Sequence, residues 1–503
     1  MGWFKNMLRS WLNIQNLNGR QFYIQNMMDF DANVFKNYMW YRGDPEELHQ
    51  FFQQVGSEDA SFWATATRGV RKIHTGIPAL IADVLSDIVI QDMNEVTATT
   101  RQVDVDYICN KNDIENLLSN SLPYVLVKGD GAFKISFDLK VGDYPIIEFY
   151  EADKVEFKYE RSKYSETIFK NYIEHDNRHY VHKEIYGYGY IKNELYTLDD
   201  NKKVPMNTVP ELADVKDFIF AGAEVDKQGI ISKYGTLNMA VPFLIFKSAK
   251  FKYRGKSIFE TKQGNFDALD EVVSQWIDAI RKGRTTRYIP ERLLPRNPKT
   301  GETLMKNDFE SSYIQTKGDI SEGGNKIQVE TPNIQAEQYL QTYVTVLDLC
   351  LQGLISPSTL GIDNKKLDNA EAQREKEKAT LYTRGKIVEA LLKVIPKLLN
   401  VSIKAMDVYH MKSITEDDIE ISIAFGEYAN PSFESVVETM AKARQGQSMS
   451  TEKIVDEMYG DSLTAEEKEE EVKRIKEEYG LVQMDEPGMF NSDVPDPTLE
   501  ENV

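Results

Sequence analysis

The sequence contains very little cysteine and no long apolar run. Cys109 and Cys350 are the only two cysteines among 503 residues, which excludes a disulfide framework and leads us to expect a reduced, intracellular protein. No apolar stretch approaches the ~18 residues of a membrane-spanning helix. The apolar face of Trp3, Phe4 and Met7 predicts an N-terminal helix that docks on protein, with binding to a membrane surface as the lesser alternative.

Positive charge is also scarce. The chain has 60 Lys and Arg against 80 Asp and Glu, a net charge of −20. A protein that grips nucleic acid by neutralising phosphates should be basic, so we expect any contact with DNA to be local or weak. The charge is uneven, because residues 461–503 hold 14 acidic and 4 basic residues whereas residues 281–306 hold 8 basic and 2 acidic ones. This asymmetry predicts surfaces with different roles on one chain.

Signatures of catalysis are missing or incomplete. The segment RGKS (254–257) has the end of a phosphate-binding loop, but Lys250 stands where that motif needs glycine. We therefore expect a turn there and no bound nucleotide. Metalloprotease, nucleophile-elbow and paired-cysteine motifs are absent, and no spacing singles out a catalytic triad. The sequence thus predicts a protein that is not an enzyme and that needs no cofactor.

Three of the six histidines fall in the segment HDNRHYVH. His175, His179 and His182 have a conceivable spacing for a shared metal ion. His179 and His182 are an odd number of positions apart, so on one regular strand they point to opposite faces. A hairpin tip is the favoured interpretation, and a metal site is the lesser alternative.

The periodicity of apolar residues divides the chain into helical and strand regions. Residues 1–120 are predicted to be mostly helical, with an amphipathic helix over 76–90. From about 122 to 247 the pattern has period two and predicts antiparallel strands joined by turns. Together these regions indicate an α+β fold class.

The second half of the chain predicts a helix, an insert and a returning helix. Apolar stripes predict helices over 266–281 and 334–354, on either side of a compact insert, 284–333, that is rich in Arg, Pro and Gly. A polar loop beginning GLISPSTLGIDNKK follows the second helix. Its Pro and Gly residues end one helix, and its Asp and Asn residues are suited to cap the next.

A long charged helix is predicted after this loop, over about 368–400. Gly385 and Pro396 weaken it and are predicted positions of a bend. Its charged face is read as solvated or, alternatively, as lining a wet channel between subunits. A strand over 418–425, two or three helices and a disordered end complete the prediction.

In this order, the elements resemble the portal proteins of tailed bacteriophages, of the siphophage and myophage type, over about residues 30–480. YMWYRGD resembles the Tyr/Gly segment near the portal N-terminus. ISPSTLGIDNKKLDNAEAQREKEKATLYTRGKIVEALLKVI is similar to the portal tunnel loop and the long helix after it. SFESVVETMAKARQGQSMSTEKIVDEMYGDSLTAEEKEEEVKRIKEE is similar to the helical portal ending.

The resemblance implies an α+β portal fold with a wing, a two-helix stem, a small α/β clip and a helical crown, assembled into a ring that is usually dodecameric. The implied divisions are an N-terminal helix or arm at 1–29, the wing at 30–255, the first stem helix at 256–283, the clip at 284–333, the second stem helix at 334–354, the tunnel loop at 355–368, a long wing helix and strand at 369–425, the crown helices at 426–480 and an acidic disordered tail at 481–503.

The resemblance also implies a function. A portal ring occupies one capsid vertex of the virion, is assembled in the cytoplasm of the bacterial host, nucleates head assembly and forms the DNA channel for packaging and ejection. The implied partners are further copies of the chain, double-stranded DNA, the terminase large subunit, a head–tail adaptor, and the major capsid and scaffolding proteins, with no membrane.

Two sets of residues are candidate contacts under this interpretation. The tunnel-loop set would line the DNA channel and comprises Ser356, Ser358, Thr359, Asp363, Asn364, Lys365 and Lys366. In it, Lys365 and Lys366 would be mobile phosphate contacts that Asp363 moderates. The clip set would contact DNA or a partner and comprises Arg281, Lys282, Arg284, Arg287, Arg292 and Arg296. The alternative for the clip set is a group of solvated basic residues on a loop.

Two functions from other classes stay open. A monomeric intracellular scaffold or adaptor predicts a solution mass near 57.8 kDa. An ATP-driven packaging motor is disfavoured, because it needs a phosphate-binding loop and a catalytic carboxylate.

Overall fold

The structure is a computed structural model of the chain. It describes residues 14–17, 21–24, 29–55, 61–65, 70–138, 140–225, 231–283, 286–290, 294, 296–301, 312–316, 328–330, 334–362, 370–412, 417–426, 440, 449–459 and 465–478. The chain divides into two compact units. The first comprises residues 1–365 and 376–428, and the second comprises residues 366–375 and 429–503.

Helices and strands alternate in long blocks along the described residues. The helices are α1 (Phe30–Arg42), α2 (Pro45–Val55), α3 (Ile77–Gln91), α4 (Gln102–Asn112), α5 (Ile114–Lys128), α6 (Gln263–Lys282), α7 (Ala336–Leu351), α8 (Ala370–Tyr409), α9 (Thr451–Tyr459) and α10 (Ala465–Glu478). The strands are β1 (Ile14–Leu17), β2 (Gln21–Ile24), β3 (Met93–Ala98), β4 (Asp130–Ser136), β5 (Ile146–Glu151), β6 (Val155–Glu160), β7 (Lys163–His175), β8 (Arg178–Gly187), β9 (Tyr190–Thr197), β10 (Lys203–Val204), β11 (Phe218–Ile219), β12 (Glu224–Val225), β13 (Ile231–Lys233), β14 (Ala240–Leu244), β15 (Thr286–Pro290), β16 (Ser312–Thr316), β17 (Gln328–Glu330) and β18 (Ile421–Phe425). This mixture confirms the predicted α+β class.

The first unit contains two antiparallel sheets that build most of its β structure. The larger has the order β10-β9-β8-β7-β6, with β11 also paired to β9. The smaller has the order β14-β4-β5. A separate pair joins β3 to β18, with Ala98 opposite Ile421, so the chain returns after α8 to its N-terminal half. Buried side chains from α1–α5, the smaller sheet, α6, α7 and α8 form one continuous core.

The strand region begins later than predicted. Residues 122–128 belong to α5, which contains Pro123, and the first strand of the region begins at Asp130. The side chains of Val125, Leu126 and Val127 are all buried, so this apolar run carries no period that could separate a strand from a buried helix.

Three strands fall in the region predicted to be mostly helical. Strands β1 and β2 form an antiparallel hairpin with Ile14 opposite Ile24, whereas the apolar face predicted for the N-terminal helix, at residues 3–12, lies outside the described residues. Strand β3 is specified by its pairing with β18, and no local pattern reveals a partner so far away in the chain.

The histidine-rich segment forms the predicted hairpin tip. Strands β7 and β8 are joined through Asp176 and Asn177, both with positive φ (49° and 60°), which is typical of a two-residue hairpin turn. His182 is buried, and its Nε2 lies 3.0 Å from Oδ1 of Asn193. Among the described residues, no group of three or more His, Cys, Asp and Glu could hold a metal ion.

The RGKS segment is an extended connection between two turns, where the sequence predicted a turn, and its Gly255 bridges antiparallel to Lys247. The guanidinium of Arg254 donates to both carboxylate oxygens of Asp130, at 2.9 and 2.8 Å, and lies 3.7 Å from the ring centroid of Phe30. The backbone N–H of Gly255 donates to the same carboxylate at 2.7 Å. A side chain at Gly255 would collide with the backbone of Gly129, so the glycine serves close packing rather than phosphate binding.

Helix α8 is longer than predicted and continues through both predicted bends. It is one helix from Ala370 to Tyr409, with Pro396 inside it. Its buried side chains include Ile387, Leu391 and Leu398. This packing explains why local helix-weakening residues do not end the helix, since most helical stability in proteins comes from tertiary contacts.

The second unit contains the helix pair α9 and α10. Lys468 donates to Asp456 at 2.9 Å, and Lys476 donates to Glu452 at 2.5 Å. These are exposed ion pairs, and Ile454 and Val455 supply buried apolar contacts. In the part of the chain that the structure describes, no helix is long and apolar enough to cross a membrane.

Replacing Arg254 by Ala should lower the free energy of unfolding by about 3–5 kcal/mol, because it leaves a buried carboxylate without its cation. The side chain of Asp130 is 0% exposed. Arg42→Ala is the matched control, since Arg42 forms the same type of pair with Glu47 but the two side chains are 45% and 40% exposed. That loss should cost about 1 kcal/mol or less. Urea denaturation monitored by tryptophan fluorescence measures both, and equal midpoints for the two variants would contradict the prediction.

Candidate functional site

Helices α6 and α7 form an antiparallel pair. Near the body of the protein, Lys262 Nζ and Asn265 Nδ2 donate to the carbonyl of Leu349, at 2.8 and 2.9 Å. Further along, the rings of Trp276 and Tyr339 stack with centroids 6.3 Å apart and planes within 4°. The predicted helices over 266–281 and 334–354 are therefore confirmed as elements, and the contacts establish that they pack against each other.

The far end of the pair is closely packed at a glycine. A Cβ on Gly283 would lie 2.5 Å from Cγ1 of Ile334. Because that distance is shorter than a van der Waals contact between carbon atoms, a larger residue at this position would displace the side chain of Ile334. The register runs from Lys262 beside Leu349, at the body, to Gly283 beside Ile334.

The body end of α6 is held by a buried carboxylate. Asp270 is 0% exposed and accepts four hydrogen bonds. The donors are the backbone N–H and Oγ1 of Thr75, both at 2.9 Å, Nε1 of Trp63 at 3.1 Å and Nδ1 of His74 at 2.7 Å. One turn earlier on the helix, Asp267 accepts from Ser61 Oγ at 2.8 Å. The described residues between 61 and 75 thus clasp the base of α6.

The apolar stripes of both helices continue beyond this base. On α7, Leu347 and Leu351 are buried, whereas Leu340 and Val344 in the same row are 50% and 47% exposed. On α6, Phe266 and Leu269 are buried, whereas Ile277 and Ile280 are 40% and 46% exposed. We call the four exposed residues, Ile277, Ile280, Leu340 and Val344, the distal stripe. Its apolar area is solvent-exposed in the single chain.

The insert between the helices contains a small mixed sheet of order β16-β15-β17. Strand β15 is parallel to β16 and antiparallel to β17. The described residues of the insert contain strands and no helix, so the α component of the expected α/β clip does not appear in them.

The six basic residues of the clip set are not brought together by the described structure. Arg281 and Lys282 are exposed at the end of α6, where Lys282 pairs with Asp278 at 2.6 Å. Arg287 lies on β15, with its backbone opposite Tyr313 and Val329, and Arg296 is exposed. Arg284 and Arg292 lie outside the described residues.

The polar loop after α7 begins with a compact turn. The N–H of Ile362 donates to the carbonyl of Pro357 at 3.1 Å, and the N–H of Gly361 donates to that of Ser358 at 3.0 Å. This pair of bonds is a Schellman motif, and it requires the left-handed conformation seen at Gly361, whose φ is 70°. Residues 357–362 are therefore structured as a closed turn.

The turn contacts α8 through the hydroxyl group of Thr380. Oγ1 of Thr380, which is fully buried, accepts from the backbone N–H of Ser356 at 2.9 Å and lies 2.9 Å from Oγ1 of Thr359. Of the tunnel-loop set, Ser356 is only 2% exposed, and Oγ of Ser358 is buried without a hydrogen-bond partner among the described residues. In this conformation Ser356 and the hydroxyl group of Ser358 lie in the buried base of the loop. Asp363, Asn364, Lys365 and Lys366 lie outside the described residues.

Sequence reasoning missed Asp270 and Thr380. Each is a polar residue within the apolar stripe of a helix, at a position where the helical period places a core residue. A polar residue at a predicted core position can be detected in the sequence and indicates a buried hydrogen bond, since a buried polar side chain requires a hydrogen-bond partner. The identity of the partner is not detectable, because Thr75 and Ser356 lie far from them in the chain.

Comparison with known proteins gives likenesses to solved structures. No protein-family model and no curated protein matches the chain. Among solved structures, the chain is similar to one described as "Neck of native GTA particle computed with C12 symmetry". The match has a TM-score of 0.37 and 10% sequence identity, and it covers 86% of this chain and 93% of that one. A TM-score this low does not establish a common fold, so the proposals below rest on the residues of this chain.

Replacing Thr380 by Val should loosen the loop base while leaving the helix intact. The substitution keeps the shape of the side chain but leaves the buried N–H of Ser356 without its acceptor, at a cost of about 1–3 kcal/mol. Amide hydrogen exchange in residues 355–362 should become about tenfold faster for each ~1.4 kcal/mol lost. Mass spectrometry of peptides from this segment measures the change.

Thr383→Val is the matched control for this experiment. Thr383 is also buried, but its Oγ1 donates only to the carbonyl of Ala379 in the same helix, at 3.1 Å. Exchange in residues 355–362 should therefore stay unchanged in the control. Equal protection of this segment in both variants would show that Thr380 does not anchor the turn.

Proposed function

We propose that this chain is the subunit of a phage portal, a ring at one capsid vertex that forms the DNA channel for packaging and ejection. The observation that carries the proposal is the antiparallel pair α6–α7, which is clasped at its base by the α+β body and exposes the distal stripe beyond it. A small sheet closes the far end of the pair, and an anchored loop leads from its base into α8. This is the arrangement implied by the sequence resemblance.

In this proposal the elements take the roles of portal segments. Residues 30–255 and 369–425 form the wing, α6 and α7 form the stem, the sheet of β15, β16 and β17 belongs to the clip, and residues 426–480 form the crown. The anchored turn is the base of the tunnel loop.

The distal stripe favours a ring over a monomer. Apolar side chains that are about half exposed lie on both helices beyond the base of the pair, and exposed apolar surface of this kind marks sites of association. A contact between copies that uses two different surfaces closes into a ring when its rotation is an integral fraction of a turn. The stem helices of neighbouring copies would then cover the distal stripe.

The charge of the chain suits a DNA conduit. A channel with many strong phosphate contacts would retain DNA instead of passing it, whereas a subunit with net charge −20 repels the backbone outside a few local contacts. We propose Lys365 and Lys366, which follow the anchored turn in the sequence, as those contacts. Arg281 and Lys282, with the other basic residues of the clip set, would meet DNA at the channel exit or a partner.

The proposed partners follow from this role. They are further copies in a ring that is proposed to be dodecameric, double-stranded DNA, the terminase large subunit, a head–tail adaptor, and the major capsid and scaffolding proteins. The protein would act without catalysis as part of the virion. A motor function has no support from RGKS, because Arg254 and Gly255 of that segment are held by the buried carboxylate of Asp130.

The purified chain should assemble into a particle about ten times heavier than its 57.8 kDa subunit, visible as rings by negative-stain microscopy. Changing Ile280 and Val344 together to Glu should abolish the rings, because the charges would be buried between copies, while the circular dichroism of the subunit stays unchanged. Leu198→Glu is the control, since Leu198 is also exposed (50%) but follows β9, away from the stem. Mass photometry of a wild type that stays near 57.8 kDa at micromolar concentration would contradict the proposal.

Deleting Asn364, Lys365 and Lys366 should leave the rings intact but reduce the DNA that is packaged or retained. The anchored turn at 357–362 and the distal stripe are untouched by this change, so assembly should not suffer. Replacing the three residues by Gly-Ser-Gly separates the loss of the lysines from the loss of length. Nuclease-protected DNA in complemented heads is the measurement, and wild-type amounts for both variants would reduce the loop to a connector.

A further inference from the structure

Helix α8 carries a row of lysines on its exposed side. Two of them, Lys386 and Lys397, also approach rings of the same unit, with Nζ 5.8 Å from the ring centroid of Phe246 and 5.9 Å from that of Tyr164. The face repeats every three or four residues and consists of Lys378, Tyr382, Lys386, Glu389, Lys393 and Lys397, which we call the lysine face. The side chain of Lys393 is 71% exposed and pairs with Glu389 along the helix, while Tyr382 is 65% exposed. At 1.5 Å per residue the face is about 29 Å long. Four lysines against one glutamate are unusual in a chain with net charge −20.

A cleft of opposite charge lies between β3 and α4. Its volume is about 910 Å³, and its lining includes the carboxylates of Glu95, Asp106, Asp113 and Glu115 but no Lys or Arg. All four are exposed, and within the described part of the chain none of them forms an ion pair. The apolar side chains of Met93, Val96 and Ile114 contribute to the same lining.

The cleft is not available for the addition of a strand. The side-chain amide of Gln102 occupies the open edge of β3, where Nε2 donates to the carbonyl of Val96 at 3.0 Å and Oε1 accepts from the N–H of Ala98 at 2.6 Å. An incoming strand would have to displace these bonds. A partner that offers side chains from a helix would leave them in place.

Within one copy, the lysine face points away from this cleft. Arg384 of α8 donates to Asp92 at 2.8 Å, immediately before β3. Lys393 is nine positions further along the helix, and at about 100° per residue its side chain points in the direction opposite to that of Arg384. The face therefore cannot fill the cleft of its own chain.

We propose that the lysine face of α8 docks into the acidic cleft of a neighbouring copy and specifies the register of the ring. This inference rests on the proposed ring and identifies a second, electrostatic contact in it. Two different surfaces meet, so the contact is heterologous and propagates from copy to copy until the ring closes. Tyr382 and Leu392, which is 43% exposed, would contact the apolar part of the lining.

A second copy explains both surfaces together. A nucleic acid would account for the lysine face but would leave the carboxylates of the cleft without a partner. A basic peptide would account for the cleft but not for the face. Complementary charges of this kind also fix the register of a contact, because shifted registers bring like charges together.

Charge reversal tests this contact. Lys386→Glu with Lys393→Glu changes the net charge of the face from +3 to −1, and Glu95→Lys with Glu115→Lys changes that of the cleft from −4 to zero. Each pair of changes should weaken ring assembly about tenfold or more at low salt, because the attraction across the contact is lost. Combining all four changes in one chain should restore the rings, since the new glutamates of the face then meet the new lysines of the cleft. Lys202→Glu with Lys233→Glu is the control, as both lysines are exposed on other parts of the unit (76% and 64%).

Mass photometry across a range of salt concentrations measures the fraction of protein in rings, and this fraction tests the proposed contact. Recovery in the fourfold variant supports the contact. Wild-type assembly of either reversed variant, or no recovery in the fourfold variant, overturns it. A reversed face that assembles normally but no longer binds a short DNA duplex would reassign that face to nucleic acid. If the unaltered chain forms no rings, the proposed function itself fails; if it does and the reversals have no effect, only this inference fails.

Discussion

The carboxylate of Asp270 determines how α6 leaves the body of the protein. A fully buried carboxylate is costly unless donors surround it, and here Thr75, Trp63 and His74 supply four hydrogen bonds. Nε2 of His74 is buried without a partner among the described residues. The ring is therefore oriented by its Nδ1, which lies 2.7 Å from the carboxylate of Asp270. The clasp is thus specific in geometry as well as in charge.

This clasp fixes one end of the helix pair and so leaves the other end to associate. Up to Leu269 and Leu347, the apolar stripes of α6 and α7 are covered by the core. Beyond those residues the pair has one apolar row on each helix and no covering element among the described residues. Two packed helices cannot bury such rows alone, because each helix covers only part of the other's circumference. The helix pairs of neighbouring copies are the simplest partners for these rows, since each copy presents the same apolar residues at the same level along the ring axis.

Periodicity predicted the elements that matter most for the site, and tertiary partners account for what it missed. The stripes on α6 and α7 and the stop signals at Pro357 and Gly361 are local, and the structure confirms them as two helices and a turn. The anchoring of that turn by Thr380 joins residues of two separate elements, and β3 pairs with a strand on the far side of α8. Residues 125–127 were assigned to a strand because an apolar run buried on every side has no period. The assignment of Lys365 and Lys366 to a DNA channel rests on the resemblance alone. The lysine face could not be recognised from the sequence, because its identification requires knowing that α8 buries its opposite side.

The negative charge that suits a DNA conduit also constrains assembly. Copies with net charge −20 repel one another at long range, and repulsion alone would oppose a ring. Salt limits this effect, because the screening length is about 8 Å at physiological ionic strength. Within that distance the local charges at a contact outweigh the net charge of the copies, so four lysines opposite four carboxylates attract even though each copy as a whole is acidic. The distal stripe adds an apolar contact that salt does not screen. A ring built from these two contacts would hold together despite the repulsion between its subunits, and its channel would still repel the DNA backbone. Both properties require that positive charge be confined to the surfaces where copies or partners meet.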